Sequence, residues 1–154
     1  MSFRVQTKSK YLHKPCIERE DNSSCISKVK AYLMMNKKKA VGIAANQLFL
    51  NNRVFGIWFQ DHLLIFENPV VEKIKGVQES VEGCMSIKDG KMYYKKIRPT
   101  EVTISSKNHN TMTFKDYYAT VIMHEMEHLD GVLISDHNLN SPVSISVEKE
   151  DKDG

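Results

Sequence analysis

Apolar residues recur at helical spacing in two segments of the chain. In the first segment, Ile26, Val29 and Leu33 lie three or four residues apart, which predicts a helix from residue 23 or 24 to about residue 36. A serine at its start offers an N-cap, and the three lysines at 37–39 suit its C-terminal end, where the helix dipole favours positive charge. We therefore expect one N-terminal helix with a buried apolar side.

The second helical segment runs from Asp116, a suitable N-cap, to Asp130, and Gly131 follows where a helix end favours positive φ. Its apolar side consists of Ala119, Ile122, Met126 and Leu129. Its opposite side carries Val121, His124, Glu125 and His128. A helix that is apolar on one side and carries metal-binding residue types on the other belongs in the middle of a fold.

Short runs rich in β-branched and aromatic residues lie between the two helices. They span 54–59, 63–66, 70–74, 93–97 and 102–104, and a further run at 111–114 follows a hairpin turn at 108–110. Turn-forming pairs separate them at 51–52, 68–69, 75–76 and 89–90. The pattern predicts an α+β fold with a single domain over residues 1–140 and a polar, frayed tail over 141–154.

Composition and charge exclude several classes of protein. The 154 residues suffice for one domain, and 41% hydrophobic with 27% charged residues is typical of a soluble protein. A formal net charge of +3 with scattered lysines argues against a direct nucleic-acid site. There is no apolar run of membrane-spanning length and no secretory signal, so we expect a cytoplasmic protein whose three cysteines are reduced thiols.

The second helix carries the pattern His-Glu-x-x-His at His124, Glu125 and His128. Residues four apart on a helix have Cβ atoms about 5–6 Å apart, so the two imidazoles can hold one metal ion. Glu125 would then lie where it can take a proton from water at the metal. A chance match on a surface helix is the alternative, which the apolar side of this helix disfavours.

A catalytic metal site of this kind needs a third protein ligand. The metzincin class of protease would place a histidine at position 134, which is Ile134 here. A thermolysin-like protease would use a downstream glutamate, and Glu148 lies in the charged tail without a helical pattern. A zincin-type metalloprotease is therefore the weaker alternative.

Three segments together resemble the motifs of the peptide deformylase family. Residues 42–47, Gly-Ile-Ala-Ala-Asn-Gln, are similar to the family's Gly-x-Gly-x-Ala-Ala-x-Gln, with Ala40 in place of its first glycine. Residues 82–86, Glu-Gly-Cys-Met-Ser, are similar to Glu-Gly-Cys-Leu-Ser. The third motif, Gln-His-Glu-x-Asp-His, is matched except for Met123 and Glu127. The motifs follow the family's order, and the resemblance covers roughly residues 35–137.

The resemblance implies a fold of short antiparallel or mixed β-sheets around the central His-Glu-x-x-His helix. It implies hydrolysis of the N-formyl group of N-formylmethionyl peptides, with release of formate. The implied metal ligands are Cys84, His124 and His128. The implied catalytic groups are Glu125 as general acid/base, the Gln47 side chain and the Met85 backbone N–H as oxyanion donors. The implied substrate-binding residues are Val41, Gly42, Glu82 and Gly83.

The resemblance also implies one divalent metal ion per chain, physiologically Fe²⁺, with Zn²⁺, Ni²⁺ or Co²⁺ able to take its place. The expected partners are nascent formyl-methionyl peptides. The chain is similar to short members of the family, including some encoded by bacteriophages, that lack a long basic C-terminal helix. We therefore expect a monomer with at most weak ribosome association, no membrane contact, and a host-cytoplasmic location if a virus encodes it.

The departures from the family motifs generate further hypotheses. If position 40 needs positive φ, Ala40 costs about 1 kcal/mol. Val41 and Met123 could line a methionine pocket or belong to the core. Arg98 is similar to an arginine of the family, and we expect it to pair with Glu127, against the alternative of two solvated charges.

The competing function is a catalytically weak relative that only binds metal or formyl-peptide. Such a relative would lack Glu125 or Gln47, and both residues are present. Hydrolysis is therefore the favoured function.

Overall fold

The computed structural model describes residues 4–136 and the backbone of residues 145–148. Its helices are α1 (Ser9–Leu12), α2 (Ser23–Met35) and α3 (Tyr117–Leu129). Its strands are β1 (Gly42–Ala44), β2 (Val54–Phe59), β3 (His62–Glu67), β4 (Val70–Lys75), β5 (Gln78–Glu82), β6 (Met92–Arg98), β7 (Glu101–Ser106), β8 (His109–Lys115) and β9 (Ile145–Glu148). Short 3-10 turns span Ala45–Leu48 and Lys88–Gly90.

Within the described residues, the strands form three antiparallel sheets of three strands each, in the orders β1-β2-β3, β4-β7-β8 and β5-β6-β9. The expected α+β class is confirmed, as are both long helices and the strand runs at 54–59, 63–66, 70–74, 93–97 and 102–104. The hairpin turn expected at 108–110 lies earlier, at 107–108, because β8 already begins at His109. The one-turn helix α1 lies in a segment without apolar periodicity and was not predicted.

Strand β5 was not predicted, because its polar side chains face inward and its apolar side chain faces outward. Gln78, Ser80 and Glu82 are partly or fully buried, whereas Glu79 is exposed and so is Val81. A half-buried strand normally alternates the other way, with apolar side chains inside. Buried polar side chains need hydrogen-bond partners, so this inward polar face indicates a site rather than a core.

The strand β9 lies inside the tail for which a frayed conformation was expected. Its residues 145–148 pair with 92–95 of β6 in an antiparallel ladder. The segment Ile-Ser-Val-Glu alternates apolar and polar residues, and pairing with β6 satisfies its backbone groups. The other tail residues, 141–144 and 149–154, lie outside the described residues, and the domain boundary at 140 stays a prediction.

Helix α3 lies in the middle of the fold, packed against β1, β2, β7 and β8. Ala119 and Leu129 on its apolar side are fully buried, and His128 on the opposite side is also buried. Asp116 occupies the expected N-cap position without a side-chain capping bond. Gly131 has φ +76°, and a Cβ there would lie 2.5 Å from a backbone oxygen, so glycine is required where the helix ends.

A second core lies under α2. Val29 and Leu33 of α2 pack with Val54 and Ile65 of the β1-β2-β3 sheet. The N-cap position is Asn22 rather than the expected serine. None of the helices in the described ranges is long and apolar enough to cross a bilayer.

All three cysteines are free, buried thiols, in agreement with the expectation of reduced cysteines. Burial raises the pKa of Cys16 to about 11 and that of Cys25 to about 12. These two thiols are therefore protonated and inert at neutral pH.

His13 links the N-terminal segment to the loop after α3. Its Nε2 lies 2.9 Å from Asp136 Oδ1, and its Nδ1 lies 2.7 Å from the carbonyl oxygen of Ser9. The hydrogen bond to Asp136, and then the one to Ser9, raises the pKa of His13 above its ordinary value of 6.5. Both bonds can be donated together only by the protonated imidazole.

This link should stabilise the protein more at acidic than at alkaline pH. The folded-state pKa of His13 is raised, so its contribution is complete below the unfolded-state pKa and is lost as pH rises through the folded-state pKa. Because the pair is partly exposed, Asp136→Asn should lower the free energy of unfolding by under about 1 kcal/mol at low pH, and by less at high pH. Urea melts of both proteins on either side of neutrality test this, and an equal difference at both would contradict it.

Candidate metal centre

Three potential metal ligands meet where the loop after β5 reaches α3. The donor atoms of Cys84, His124 and His128 lie within 4.8 Å of one another, and Cys84 Sγ is 3.3 Å from His128 Nε2. A tetrahedral metal bound by one thiolate and two imidazoles would hold these donors about 3.3–3.6 Å apart. The cluster can therefore accept an ion with small adjustments, and its donor set suits several first-row transition metals.

The cluster is shielded from solvent. Cys84 is 5% exposed and His128 is 2% exposed. Burial, and then the neighbouring His124, lowers the pKa of His128 well below its ordinary value. A neutral imidazole has the free lone pair that metal binding requires. Asn46 holds the end of α3 in place by donating to the His128 carbonyl oxygen at 2.6 Å.

A buried ion-pair network lies behind His124. Glu82 Oε1 accepts from His124 Nδ1 at 2.9 Å and from Arg98 Nη2 at 2.7 Å. Glu82 Oε2 accepts from Arg98 Nε at 2.9 Å and from the Ser80 hydroxyl. Burial disfavours the charged form, but these bonds from Arg98 and His124 outweigh it and hold the pKa of Glu82 far below its usual range. The network fixes the orientation of the His124 ring, as the hydrogen-bond partners of metal-binding histidines commonly do.

The expected pair of Arg98 and Glu127 is confirmed, with Arg98 Nη1 2.8 Å from Glu127 Oε1. The ion pair therefore forms even though Glu127 has a longer side chain than the aspartate of the family motif. The contacts of Glu82 with Arg98 and His124 were not predicted, because nothing in the local sequence indicates which carboxylate lies behind a histidine.

Glu125 extends into the same region from α3. It is 4% exposed, and burial raises its pKa to about 7. Its Oε1 is buried and has no hydrogen-bond partner among the described residues. An uncompensated carboxyl oxygen beside a ligand cluster is consistent with a missing polar group, such as water at a metal.

Gly42 has a structural role in addition to the expected contact with substrate. It was expected among the substrate-binding residues, and a Cβ at this position would lie 2.8 Å from Glu125 Oε2 and 3.1 Å from the carbonyl oxygen of Gly56. The absence of a side chain therefore makes room for the Glu125 carboxylate. Close approach to a substrate stays a prediction.

The 3-10 turn after β1 positions Gln47. The Ala44 N–H donates to Gln47 Oε1 at 3.0 Å, which turns Nε2 toward the ligand cluster. Nε2 donates to Ser86 Oγ at 3.1 Å and lies 3.4 Å from Cys84 Sγ. The amide N–H groups thus lie beside the metal cluster, as an oxyanion donor would have to.

The predicted residues converge on one cavity of about 510 Å³. Its wall includes Val41, Gly42, Gln47, Glu82, Gly83, Cys84, Met85, His124 and Glu125. His128 lies buried beside Cys84. Wall residues that were not predicted include Gln78, Ser80, Tyr93, Tyr117 and Thr120.

The structure decides two points that the motif departures left open. Met123 packs against the core, and it lines a second cavity with Met126 and Glu127 rather than this one. Met123 follows Val121 by two residues, and residues two apart on a helix face different sides, so Met123 points away from the cavity that Val121 lines. Ala40 is not among the residues with positive φ, so alanine causes no backbone strain there.

Comparisons with known proteins agree on one family. The family profile described as polypeptide deformylase matches residues 4–143. A peptide deformylase of Treponema pallidum is 31% identical over 139 residues, covering 82% of this chain and 85% of the relative. Peptide deformylase 2 of Clostridium acetobutylicum is 35% identical over 107 residues, covering 67% of this chain and 70% of the relative.

Solved structures share the fold. The peptide deformylase of Thermus thermophilus aligns with a TM-score of 0.77 at 25% identity, covering 86% of this chain and 83% of that chain. The peptide deformylase of Synechococcus elongatus in complex with actinonin aligns with a TM-score of 0.75 at 25% identity, covering 86% of this chain and 75% of that chain. These likenesses confirm the expected fold of antiparallel sheets around a central helix.

Proposed function

Because the chain belongs to the peptide deformylase family of enzymes, we propose that it hydrolyses the N-formyl group of N-formylmethionyl peptides and releases formate. One observation carries the proposal. Glu125 and Gln47 lie on the wall of the same cavity as the Cys84 and His124 donors of the metal cluster. A carboxyl base, an amide donor and a metal cluster are the groups that amide hydrolysis needs within reach of one carbonyl.

The Cys84–His124–His128 cluster would hold the divalent ion on which the family depends. Such an ion supplies Lewis-acid polarisation and lowers the pKa of coordinated water from about 15.7 to near 7. Glu125 takes the proton from the attacking water and delivers it to the nitrogen that leaves as a free amine. Its pKa of about 7 suits both steps near neutral pH.

Gln47 Nε2 and the backbone N–H of Met85 donate to the formyl oxygen as it gains negative charge. The position of Gln47 Nε2, 3.4 Å from Cys84 Sγ, supports this role because it places the amide donor beside the ligand cluster. The bond from the Ala44 N–H fixes the amide before substrate arrives. Donors that are already in place stabilise the transition state without the cost of reorganisation.

The substrate backbone would lie between two sheet edges. β1 and β5 are each the first strand in their sheet order, and residues of both line the cavity. An extended peptide can add hydrogen bonds to such an edge. Val41, Gly42, Glu82 and Gly83 would contact it there.

Several finer points stay predictions. They are Fe²⁺ as the physiological ion, a monomeric and cytoplasmic protein, and at most weak contact with the ribosome. Because the ligand set suits several metals, the identity of the ion is tested by metal analysis of protein purified without air.

The direct test is formate release from formyl-Met-Ala-Ser by metal-loaded protein under anaerobic conditions. Release with Michaelis–Menten kinetics supports the proposal. Tight binding without release would favour the catalytically weak relative, and cleavage of internal peptide bonds would favour a zincin-type protease. Folded, metal-loaded protein that releases no formate overturns the proposal.

Gly42→Ala should lower kcat/KM about 100-fold without unfolding the protein. The added Cβ meets Glu125 Oε2 at 2.8 Å, so the carboxylate must move, and a shift of about 1 Å at a reacting group can cost this factor. Metal content and the thermal midpoint serve as controls. Unchanged kcat/KM would show that the close approach has no catalytic consequence.

Cys84→Ser should weaken metal binding at least about tenfold, because an alcohol is a poorer ligand than a thiolate for these ions. Competition with a chelator measures the affinity, and the thiolate-to-Co²⁺ absorption should disappear in the cobalt-loaded variant. Cys25→Ser is the matched control, since Cys25 is buried in the core under α2. Equal metal affinity of the Cys84 variant and wild type would exclude Cys84 as a ligand.

A further inference from the structure

We infer that Gln78, Ser80 and Thr120 form a polar side-chain subsite that admits, at the first residue of the substrate, unbranched side chains ending in a hydrogen-bonding group as well as methionine. Glutamine, whose terminal amide can donate, is such a side chain. The inference rests on the proposed deformylase activity and specifies which formyl-peptides the same cavity accepts.

The position of Thr120 follows from helix geometry. Thr120 and Val121 precede His124 by four and three residues, so they lie on the same side of α3, about 6 Å and about 4.5 Å from it along the axis. All three line the cavity. A substrate held with its formyl group at the metal cluster can extend its first side chain along this side of α3. The four-atom chain of methionine is long enough to bring its end to the level of Thr120.

The cavity wall at this level is polar. Gln78 Nε2 donates to the carbonyl oxygens of Pro99 and Asp116 at 2.9 Å each and lies 3.3 Å from Thr120 Oγ1. These contacts fix the Gln78 amide against the start of α3. Thr120 is 7% exposed, so it belongs to the buried part of the cavity wall.

Ser80 adds a second hydroxyl from the same inward face of β5. It lines the cavity two residues after Gln78 and donates to Glu82. Val41 and Val121 line the cavity beside these groups and can contact a methylene stem. The subsite is therefore apolar along the stem and polar near the end of the side chain.

This arrangement predicts weak discrimination between polar and apolar ends. Ser80 and Thr120 already have protein partners, so an apolar end leaves neither hydroxyl unpaired. A polar end can use the remaining lone pairs of these oxygens, which hydrocarbon walls would not offer. A purely hydrocarbon pocket would be expected to disfavour the polar end by about 100-fold.

The test compares kcat/KM for three formyl-Xaa-Ala-Ser peptides, with methionine, norleucine and glutamine at Xaa. For wild type we expect the glutamine and norleucine peptides to differ by less than about tenfold. Thr120→Val removes the hydroxyl at nearly constant volume and should lower the glutamine-to-norleucine ratio about tenfold. Thr120→Ser should keep the wild-type ratio. Thr113→Val is the matched control, because Thr113 is exposed on β8 and pairs with Thr103.

Ser80→Ala gives the same readout if Thr120→Val does not fold, and it should also lower the ratio. A wild-type preference for norleucine above about 100-fold overturns the inference while leaving the deformylase activity intact. A glutamine-to-norleucine ratio that is unchanged in Thr120→Val and in Ser80→Ala also overturns the inference and leaves the deformylase activity intact. Absence of formate release from all three peptides overturns the proposed function, and this inference with it.

Discussion

Glu125→Ala should reduce formate release about 10³-fold or more while the protein keeps its metal. The expected loss follows from the role of Glu125 as the base that takes a proton from water, a role that contributes about 10²–10⁴-fold. Glu125 is not among the residues whose donor atoms form the metal cluster, so metal content should not change. Its carboxyl group is buried with a raised pKa, so replacing it should not lower the stability as the loss of a buried ion pair would.

Glu125→Gln separates chemistry from packing. It keeps the shape of the side chain but cannot accept the proton, so it should lose as much activity as the alanine variant. Glu20→Ala, at an exposed position, is the matched control and should keep wild-type activity. Retention of more than about a tenth of the wild-type kcat by Glu125→Gln, with full metal content, would exclude the proposed role.

Arg98→Met should be the most destabilising single change in the network behind the site. Arg98 is 3% exposed and pairs with both Glu82 and Glu127. Its removal leaves a buried carboxylate at Glu82 without its main partner. Loss of one member of a buried ion pair typically costs about 3–5 kcal/mol. Because Glu82 also holds His124, metal affinity should fall about 10–100-fold.

Arg53→Met is the matched control for this prediction. Arg53 lies 2.8 Å from Asp130, whose side chain is 56% exposed, so this ion pair should contribute no more than about 1 kcal/mol. Urea melts give the free energies of unfolding, and chelator competition gives the metal affinity. If Arg98→Met costs no more stability than Arg53→Met, the buried network does not stabilise the fold.

The comparison of β5 with β2 shows where sequence patterns succeed and where they fail. β2, Val-Phe-Gly-Ile-Trp-Phe, is apolar because it lies in the core, and its bounds were predicted. β5 places polar residues inward and Val81 outward, so its pattern is that of a loop. The inverted polarity is intelligible only once Arg98, His124 and Thr120 are known to lie behind it.

The pairing of Arg98 with Glu127 was predicted from the family motifs, whereas the larger role of Glu82 was not. Glu82 was expected only as a substrate-binding residue, which stays a prediction. Its carboxylate is bound to His124, 42 residues later in the chain, and to Arg98. Four hydrogen bonds to one carboxylate cannot be inferred from a motif that names only neighbours in sequence.

The metal-ligand cluster illustrates the division between sequence and structure most clearly. The sequence by itself determined the central helix, the one-turn spacing of His124 and His128, and the family to which the Cys84 segment belongs, because these depend on local periodicity and short motifs. Only the tertiary structure decided that Gly42 makes room for Glu125, that Gln47 lies beside Cys84, and that Met123 points into another cavity. Such contacts join distant segments through packing, and their geometry depends on how the sheets meet α3 rather than on the residues near each position.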